Sequence, residues 1–147
     1  MKAETRLWLR MLTCTNLIEA ELRRRLRAAF NTTLPRFDLL AALDRTPEGL
    51  TLGEISDRMM VSNGNITGLA ARLETEGLVE RQTGLPDRRV VRLTLTAAGA
   101  AVFAEQSAAH AGWLVEIFSG LPPHERDALH RLLGRTKSAL VGALEEA

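Results

Sequence analysis

The sequence has no tyrosine, one cysteine, four phenylalanines and two tryptophans in 147 residues. A lone thiol, Cys14, cannot close an internal disulfide or build a cysteine-rich zinc site, so the chain is expected in the reducing cytoplasm. Five prolines and eleven glycines are too few for a fibrous or low-complexity chain, and 46% hydrophobic residues are too many for disorder. Long apolar runs are missing as well. Nothing approaches the roughly 18 residues of a membrane span. Arg6 and Arg10 interrupt the run from Leu7 to Leu12, and no cleavage site follows, so no membrane partner and no signal peptide are expected. Neither sign of charge dominates: 19 basic against 18 acidic residues leave +1, which names no partner. Lysine is nearly absent (only Lys2 and Lys137), so the cations are arginines, suited to gripping phosphate or carboxylate. There is no G-x-S-x-G, Walker loop or H-E-x-x-H. His110, His124 and His130 lack ligand spacing. The expectation is a non-enzyme without metal or cofactor.

The length suits about one domain. Apolar residues Leu7, Met11, Ile18, Leu22, Leu26 and Phe30 recur at helical spacing over 4–30, with a second stripe through Trp8, Leu12, Cys14 and Leu17. Asn31-Thr32-Thr33 ends this helix, and Pro35 opens another to Asp44. Thr46-Pro47-Glu48-Gly49 is a turn. Thr51 and Glu54 form a capping box for a short helix carrying Leu52, Ile55, Met59 and Met60. Ser62 is expected to cap the next helix, which runs to about Glu76 with Ile66, Leu69, Ala70 and Leu73 inward. The period then changes to two. Val79 and Arg81, then Val91, Leu93 and Leu95, predict an antiparallel hairpin with a basic tip. Thr96 caps a long helix to about Phe118, Gly120-Leu121-Pro122-Pro123 breaks it, and a last helix runs from about His124 to Leu144.

Two short helices joined by a turn of three to four residues, then a hairpin, make the winged helix-turn-helix plan. The fold expected is mainly α: a winged unit over 35–99, with dimerisation helices over 1–34 and 100–147 whose stripes need a second copy of the chain. The second helix of the pair carries small polar residues at its start: Ser62, Asn63, Gly64, Asn65, Thr67 and Gly68. Asn63, Asn65 and Thr67 can bond base edges or phosphates, and Arg72 lies on the face of Asn65. Gly64 and Gly68 either let the helix approach DNA or a ligand closely, or are tolerated surface glycines; each costs about 1 kcal/mol against alanine. The tip carries Asp87, Arg88 and Arg89, flanked by Arg81 and Arg92. Alone this would be a solvated turn. After a helix-turn-helix it suits the minor groove.

Gly49-Leu50-Thr51-Leu52-Gly53-Glu54-Ile55, Val61-Ser62-Asn63-Gly64-Asn65-Ile66-Thr67, Leu73-Glu74-Thr75-Glu76-Gly77-Leu78-Val79-Glu80-Arg81 and Asp87-Arg88-Arg89 through Leu95-Thr96-Ala97-Ala98-Gly99 together resemble the MarR family of transcription regulators. The resemblance runs from about Leu7 to Leu144. It implies a homodimeric winged-helix repressor on double-stranded DNA with a pseudo-palindromic operator. Arg89 matches the arginine that enters the minor groove, Asp87 the acid that steadies the wing, and Ser62 to Arg72 the recognition helix. Leu34-Pro35-Arg36-Phe37-Asp38 and Val61 to Asn65 resemble a subgroup controlling aromatic-acid breakdown. That implies a small aromatic effector or its acyl-CoA thioester.

The family's effector cleft lies between the dimerisation helices and the winged unit. Here the corresponding segments carry Trp8, Arg36, Phe37, His110 and Trp113. The aromatics either stack on a flat ring or are ordinary core; His110 either lines a pocket or sits in an interface. Arg23-Arg24-Arg25 with Arg27 covers all faces of one turn. It reads as a solvated face, with a contact to DNA or CoA phosphate as the alternative. Cys14 invites a redox-sensor reading, but family members that sense peroxide hold the thiol with tyrosines, which this chain lacks; a small apolar residue in a dimer helix is the simpler account. A helical protein-binding adaptor is a further alternative, against which the basic wing argues.

Overall fold

The computed structural model describes residues 1–59, 65–83, 87 and 89–146. Eight elements follow in order: α1 (Ala3–Phe30), α2 (Leu34–Asp44), α3 (Leu52–Arg58), α4 (Ile66–Thr75), β1 (Val79–Thr83), β2 (Val91–Leu95), α5 (Ala97–Ile117) and α6 (Pro123–Glu145). They form two compact units, Met1–Ala111 and Gly112–Ala147.

In the first unit, the helix ends follow local chemistry. Asn31 takes the left-handed conformation (φ 50°), which asparagine tolerates, and its N–H reaches Arg27 O at 3.0 Å. Thr33 Oγ1 accepts the Arg36 N–H at 3.4 Å to cap α2, with Pro35 in the first turn. Thr51 Oγ1 accepts the Glu54 N–H at 3.1 Å. Only this half of the expected capping box forms. The Glu54 carboxylate instead takes Arg92 Nη1 of β2 at 3.3 Å, a charge-assisted bond stronger than one to a neutral N–H.

The helix expected from Ser62 starts at Ile66. Asn65 is non-helical (φ −60°, ψ 88°), and its Oδ1 accepts the Gly68 N–H at 2.9 Å. Asparagine competes with helical bonding in a helix interior and favours the cap, so the start moves to it. Ser62, Asn63 and Gly64, with Met60 and Val61, lie outside the described residues. The turn of three to four residues expected between α3 and α4 falls on these residues and so also lies outside the described ones.

Strands β1 and β2 pair antiparallel, Val79 with Leu95, Arg81 with Leu93 and Thr83 with Val91. Leu50 adds an isolated bridge to β2: its N–H donates to Leu93 O at 3.0 Å, and the Leu93 N–H donates to Leu50 O at 2.8 Å. Gly49 permits this approach. Its φ is +89°, and a Cβ there would lie 2.8 Å from Leu93 O. The core lies beneath the hairpin: Leu39, Leu40 and Leu43 of α2, Leu50, Ile55, Leu69, Leu73, Val79 and Leu93. The inward face expected for α4 holds, with Leu69, Ala70 and Leu73 buried and Ile66 half-buried.

The Leu95-Thr96-Ala97-Ala98-Gly99 string acquires a physical meaning. Thr96 Oγ1 accepts the Gly99 N–H at 3.0 Å and donates to Gly77 O at 2.6 Å. A Cβ on Gly99 would overlap the Leu78 carbonyl. Threonine and glycine therefore clamp the start of α5 onto the turn between α4 and β1. From α1 the core takes only Leu22 and Leu26; Leu7, Trp8, Leu12 and Leu17 are exposed.

The second unit holds the end of α5 and α6, joined through the expected break, where the Leu121 N–H donates to Phe118 O at 3.0 Å. Leu129, Leu132, Leu133, Leu140, Val141 and Leu144 of α6 are all exposed. Among the described residues, no helix is long and apolar enough to cross a membrane.

Candidate nucleic-acid interface

Helix α4 presents Asn65, Thr67 and Arg72 outward. Arg72 makes no ion pair among the described residues. Asn65 is half-committed: its Oδ1 caps the helix, leaving its NH2 as donor. Gly68 has a local role, since a Cβ there would lie 2.7 Å from Asn65 Nδ2 and displace the capping amide.

Between the strands, Asp87 and Arg89 are described and bond each other through the Asp87 carboxylate. Its Oδ1 accepts the Arg89 N–H at 2.9 Å and Arg89 Nε at 3.3 Å, and its Oδ2 meets Arg89 Nη2 at 3.1 Å. These bonds from the Arg89 side chain and backbone hold the Asp87 carboxyl below its usual range. The Arg89 side chain is nonetheless 90% exposed. Arg88 lies outside the described residues. The two arginines on the strands of the hairpin, Arg81 and Arg92, are held internally. Arg81 Nε pairs with Glu74 Oε2 of α4 at 2.8 Å, and Arg92 Nη1 bonds Glu54 and, at 3.4 Å, Gly49 O. By sequence alone both belong to a basic stretch. They brace the wing against α4 and α3, and the carboxylates that reveal this are seven or more residues away.

Of the candidate effector residues, Phe37 and His110 meet. Phe37 is buried, and its ring lies 4.6 Å from His110 and 5.4 Å from Phe103. Burial lowers the His110 pKa and favours the neutral imidazole. Phe103 and Gln106 were missed, although their spacing with His110 (i, i+3, i+7) puts all three on one face of α5. Gln106 Oε1 is buried with no partner among the described residues. Arg36 does not join this cluster; its Nη2 pairs with Glu76 Oε2 at 2.7 Å and its Nε donates to Thr32 Oγ1 at 3.3 Å. Trp8 is 57% exposed near the start of α1. Trp113 is half-buried in the second unit.

The arginine run on α1 is largely occupied by its own helix. Glu21 meets Arg24 and Arg25, each at 2.7 Å, and these bonds hold its carboxyl down to about 2. Cys14 is exposed. Asp38 is pushed up to about 6, first by burial and then by the charge of Glu19, and its Oδ2 is buried without a partner among the described residues. Two cavities flank α4. One of about 330 Å³ is lined by Arg36, Ala71, Arg72, Thr75 and Glu76. The other, about 250 Å³, includes Arg23, Thr33, Asn65, Leu69 and Arg72. Among the described residues no cluster of His, Cys, Asp or Glu is arranged to hold a metal.

A capped outward-facing helix beside a hairpin that ends in an exposed arginine defines a winged helix-turn-helix protein. Residues 30–90 match the MarR family model. The chain is similar to the HTH-type transcriptional regulator PecS of Dickeya dadantii (strain 3937), 33% identical over 107 residues. That alignment covers 71% of this chain and 64% of PecS, so the chain spans less than two-thirds of this curated relative. A crystal structure of a MarR family transcriptional regulator from Silicibacter pomeroyi is 33% identical, with a TM-score of 0.76 over 92% of this chain and 94% of that one. FabT of Streptococcus pneumoniae, crystallised in complex with DNA, shares the fold at 22% identity, with a TM-score of 0.74 over 95% and 98% of the two chains. The chain belongs to the MarR family of transcriptional regulators.

Proposed function

We propose that the protein is a homodimeric, cytoplasmic, sequence-specific DNA-binding regulator, a repressor released by a small aromatic effector or its acyl-CoA thioester. The observation that carries the DNA reading is the wing tip: Arg89 is 90% exposed on a turn that Asp87 holds in shape. In this reading α4 enters the major groove with Asn65, Thr67 and Arg72, and with Ser62, Asn63, Gly64 and Gly68 at its approach. Arg89 reaches the minor groove, where negative potential concentrates, and Arg88 meets phosphate. FabT, with the same fold, was crystallised with DNA.

Residues 35–99 act as the DNA-binding unit and 1–34 with 100–147 as the dimerising part. The exposed leucines of α1 and α6 support this, because clustered exposed apolar residues mark association surfaces. A two-fold dimer reads a pseudo-palindrome with half-sites about 10–10.5 bp apart. The aromatic effector rests on the sequence resemblance and on the ring cluster of Phe37, Phe103 and His110. Fluorescence anisotropy on operator and random duplexes at two salt concentrations tests the function. A steep salt dependence with tighter operator binding supports it; no binding to either duplex refutes it.

A further inference from the structure

The arginine run of α1 (Arg23, Arg24, Arg25 and Arg27) is not uniform in the structure. Arg24 and Arg25 each meet Glu21 at 2.7 Å, and Arg27 Nη1 donates to Asn31 Oδ1 at 3.2 Å. Arg23 is held more loosely. Its Nη2 stands 4.0 Å from Glu19 Oε2, and a half-exposed pair at that distance contributes little. Arg23 also has a different outlook. It opens on the same space as Thr33, at the start of α2, and as Asn65 and Arg72, on the outward side of α4. No acidic side chain lines that space. Thr33 Oγ1 and Asn65 Oδ1 accept capping N–H groups, so the charged groups offered there are two guanidinium groups of like sign. An anion between them relieves their repulsion.

We infer that Arg23 of α1 is a DNA contact, and that a backbone phosphate of the bound duplex sits between Arg23 and Arg72. A guanidinium fork matches phosphate, and the long pair with Glu19 is exchanged for a shorter charge-assisted bond. The position follows from α4. Its start carries Asn65 and Thr67, the side chains offered to the bases. Placing that end of a helix in a groove brings the phosphates of the groove edge against whatever flanks the helix. Here the flank is α1. A helix assigned to dimerisation then supplies part of the DNA surface, which residues 35–99 alone do not complete. A phosphate carries no base identity, so Arg23 adds affinity and fixes orientation, and it does so equally on any sequence. The inference rests on the DNA-binding reading and extends its surface to α1.

The test is fluorescence anisotropy of the full-length protein over a salt series, on a duplex selected for binding from a random library and on an unselected duplex of the same length. Arg23→Gln should weaken both alike, by about two- to fivefold for each exposed contact. It should flatten the log–log salt slope by about 0.9 for each phosphate lost. Arg23→Lys keeps the charge and should keep the slope. Arg24→Gln removes the same charge one residue along, from a side chain committed to Glu21, and should also keep the slope. Replacing single phosphates of the selected duplex by neutral methylphosphonates should reveal a position that weakens wild type and leaves Arg23→Gln unaffected. Neither a folding defect nor a change in overall charge produces that coupling. An unchanged slope for Arg23→Gln, an equal flattening by Arg24→Gln, or no methylphosphonate position silent in Arg23→Gln overturns the inference. If wild type binds neither duplex, the DNA-binding reading falls with it. If wild type binds both with a steep slope and Arg23→Gln titrates identically, that reading stands and this contact alone falls.

Discussion

Asp38 offers a direct test of the packing between α1 and α2. Its carboxyl sits at about 6 instead of 3.8, because burial penalises the charged form and Glu19 adds like charge, while Arg45 and Arg23 offset this only in part. Below pH 3.8 the group is protonated in both folded and unfolded chains and costs nothing. As the pH rises toward 6 the unfolded chain ionises freely and the folded chain does not, so stability is lost across that window and stays lost above it. The full displacement corresponds to about 3 kcal/mol. The carboxyl is only half-buried, and solvent screening reduces this to about 1–2 kcal/mol. Asp38→Asn removes the charge at nearly constant shape. At pH 7.5 it should raise the melting temperature by about 2–8 °C for a chain of this size. The gap should close by pH 4. Melting curves at fixed protein concentration in both buffers decide it, since the proposed dimer would make the midpoint concentration-dependent. A variant no more stable than wild type at pH 7.5, or a gap that persists at pH 4, would refute the reasoning.

Three further outcomes are expected. Asn65→Ala should lose about 1 kcal/mol of stability with the cap and roughly 1–3 kcal/mol on operator DNA. Asn65→Asp should keep the stability and lose the binding, and equal stability of all three proteins in urea would mean that the cap is not made. Asp87→Ala should weaken operator binding although it removes a negative charge, because Arg89 loses the turn that presents it; Arg89→Ala should weaken it most at A/T-rich flanks and flatten the salt dependence by up to about one log–log unit. Tighter binding by Asp87→Ala in anisotropy titrations would dismiss the wing. Sedimentation at micromolar concentration should give about twice 16.2 kDa, and a stable monomer would leave the faces of α1 and α6 unexplained.

Much of the fold was legible before any coordinates. The order of elements, the inward face of α4, the cap at Thr51 and the break before α6 all follow from interactions within about four residues of each other, and such interactions leave a period or a capping residue in the chain. Within the candidate site, the pairing of Asp87 with Arg89 was legible in the same way. Asp87 and Arg89 stand two apart, so the turn they form could be read as a pair.

What the sequence by itself could not determine is where long side chains end. Arg81 and Arg92 look like part of a basic arm, yet they meet Glu74 and Glu54 across element boundaries. Arg36 stands next to Phe37 but leaves the helix toward Glu76, while Phe37 turns to His110, 73 positions along. Glu54 had a local partner available and took a distant cation. Leu50 formed an isolated bridge only because β2 returned beside it. The reason is common to all of them. A capping bond is decided by neighbours along the chain, whereas a charge or a strand edge is decided by whatever folding brings within reach, and only the tertiary structure settles that.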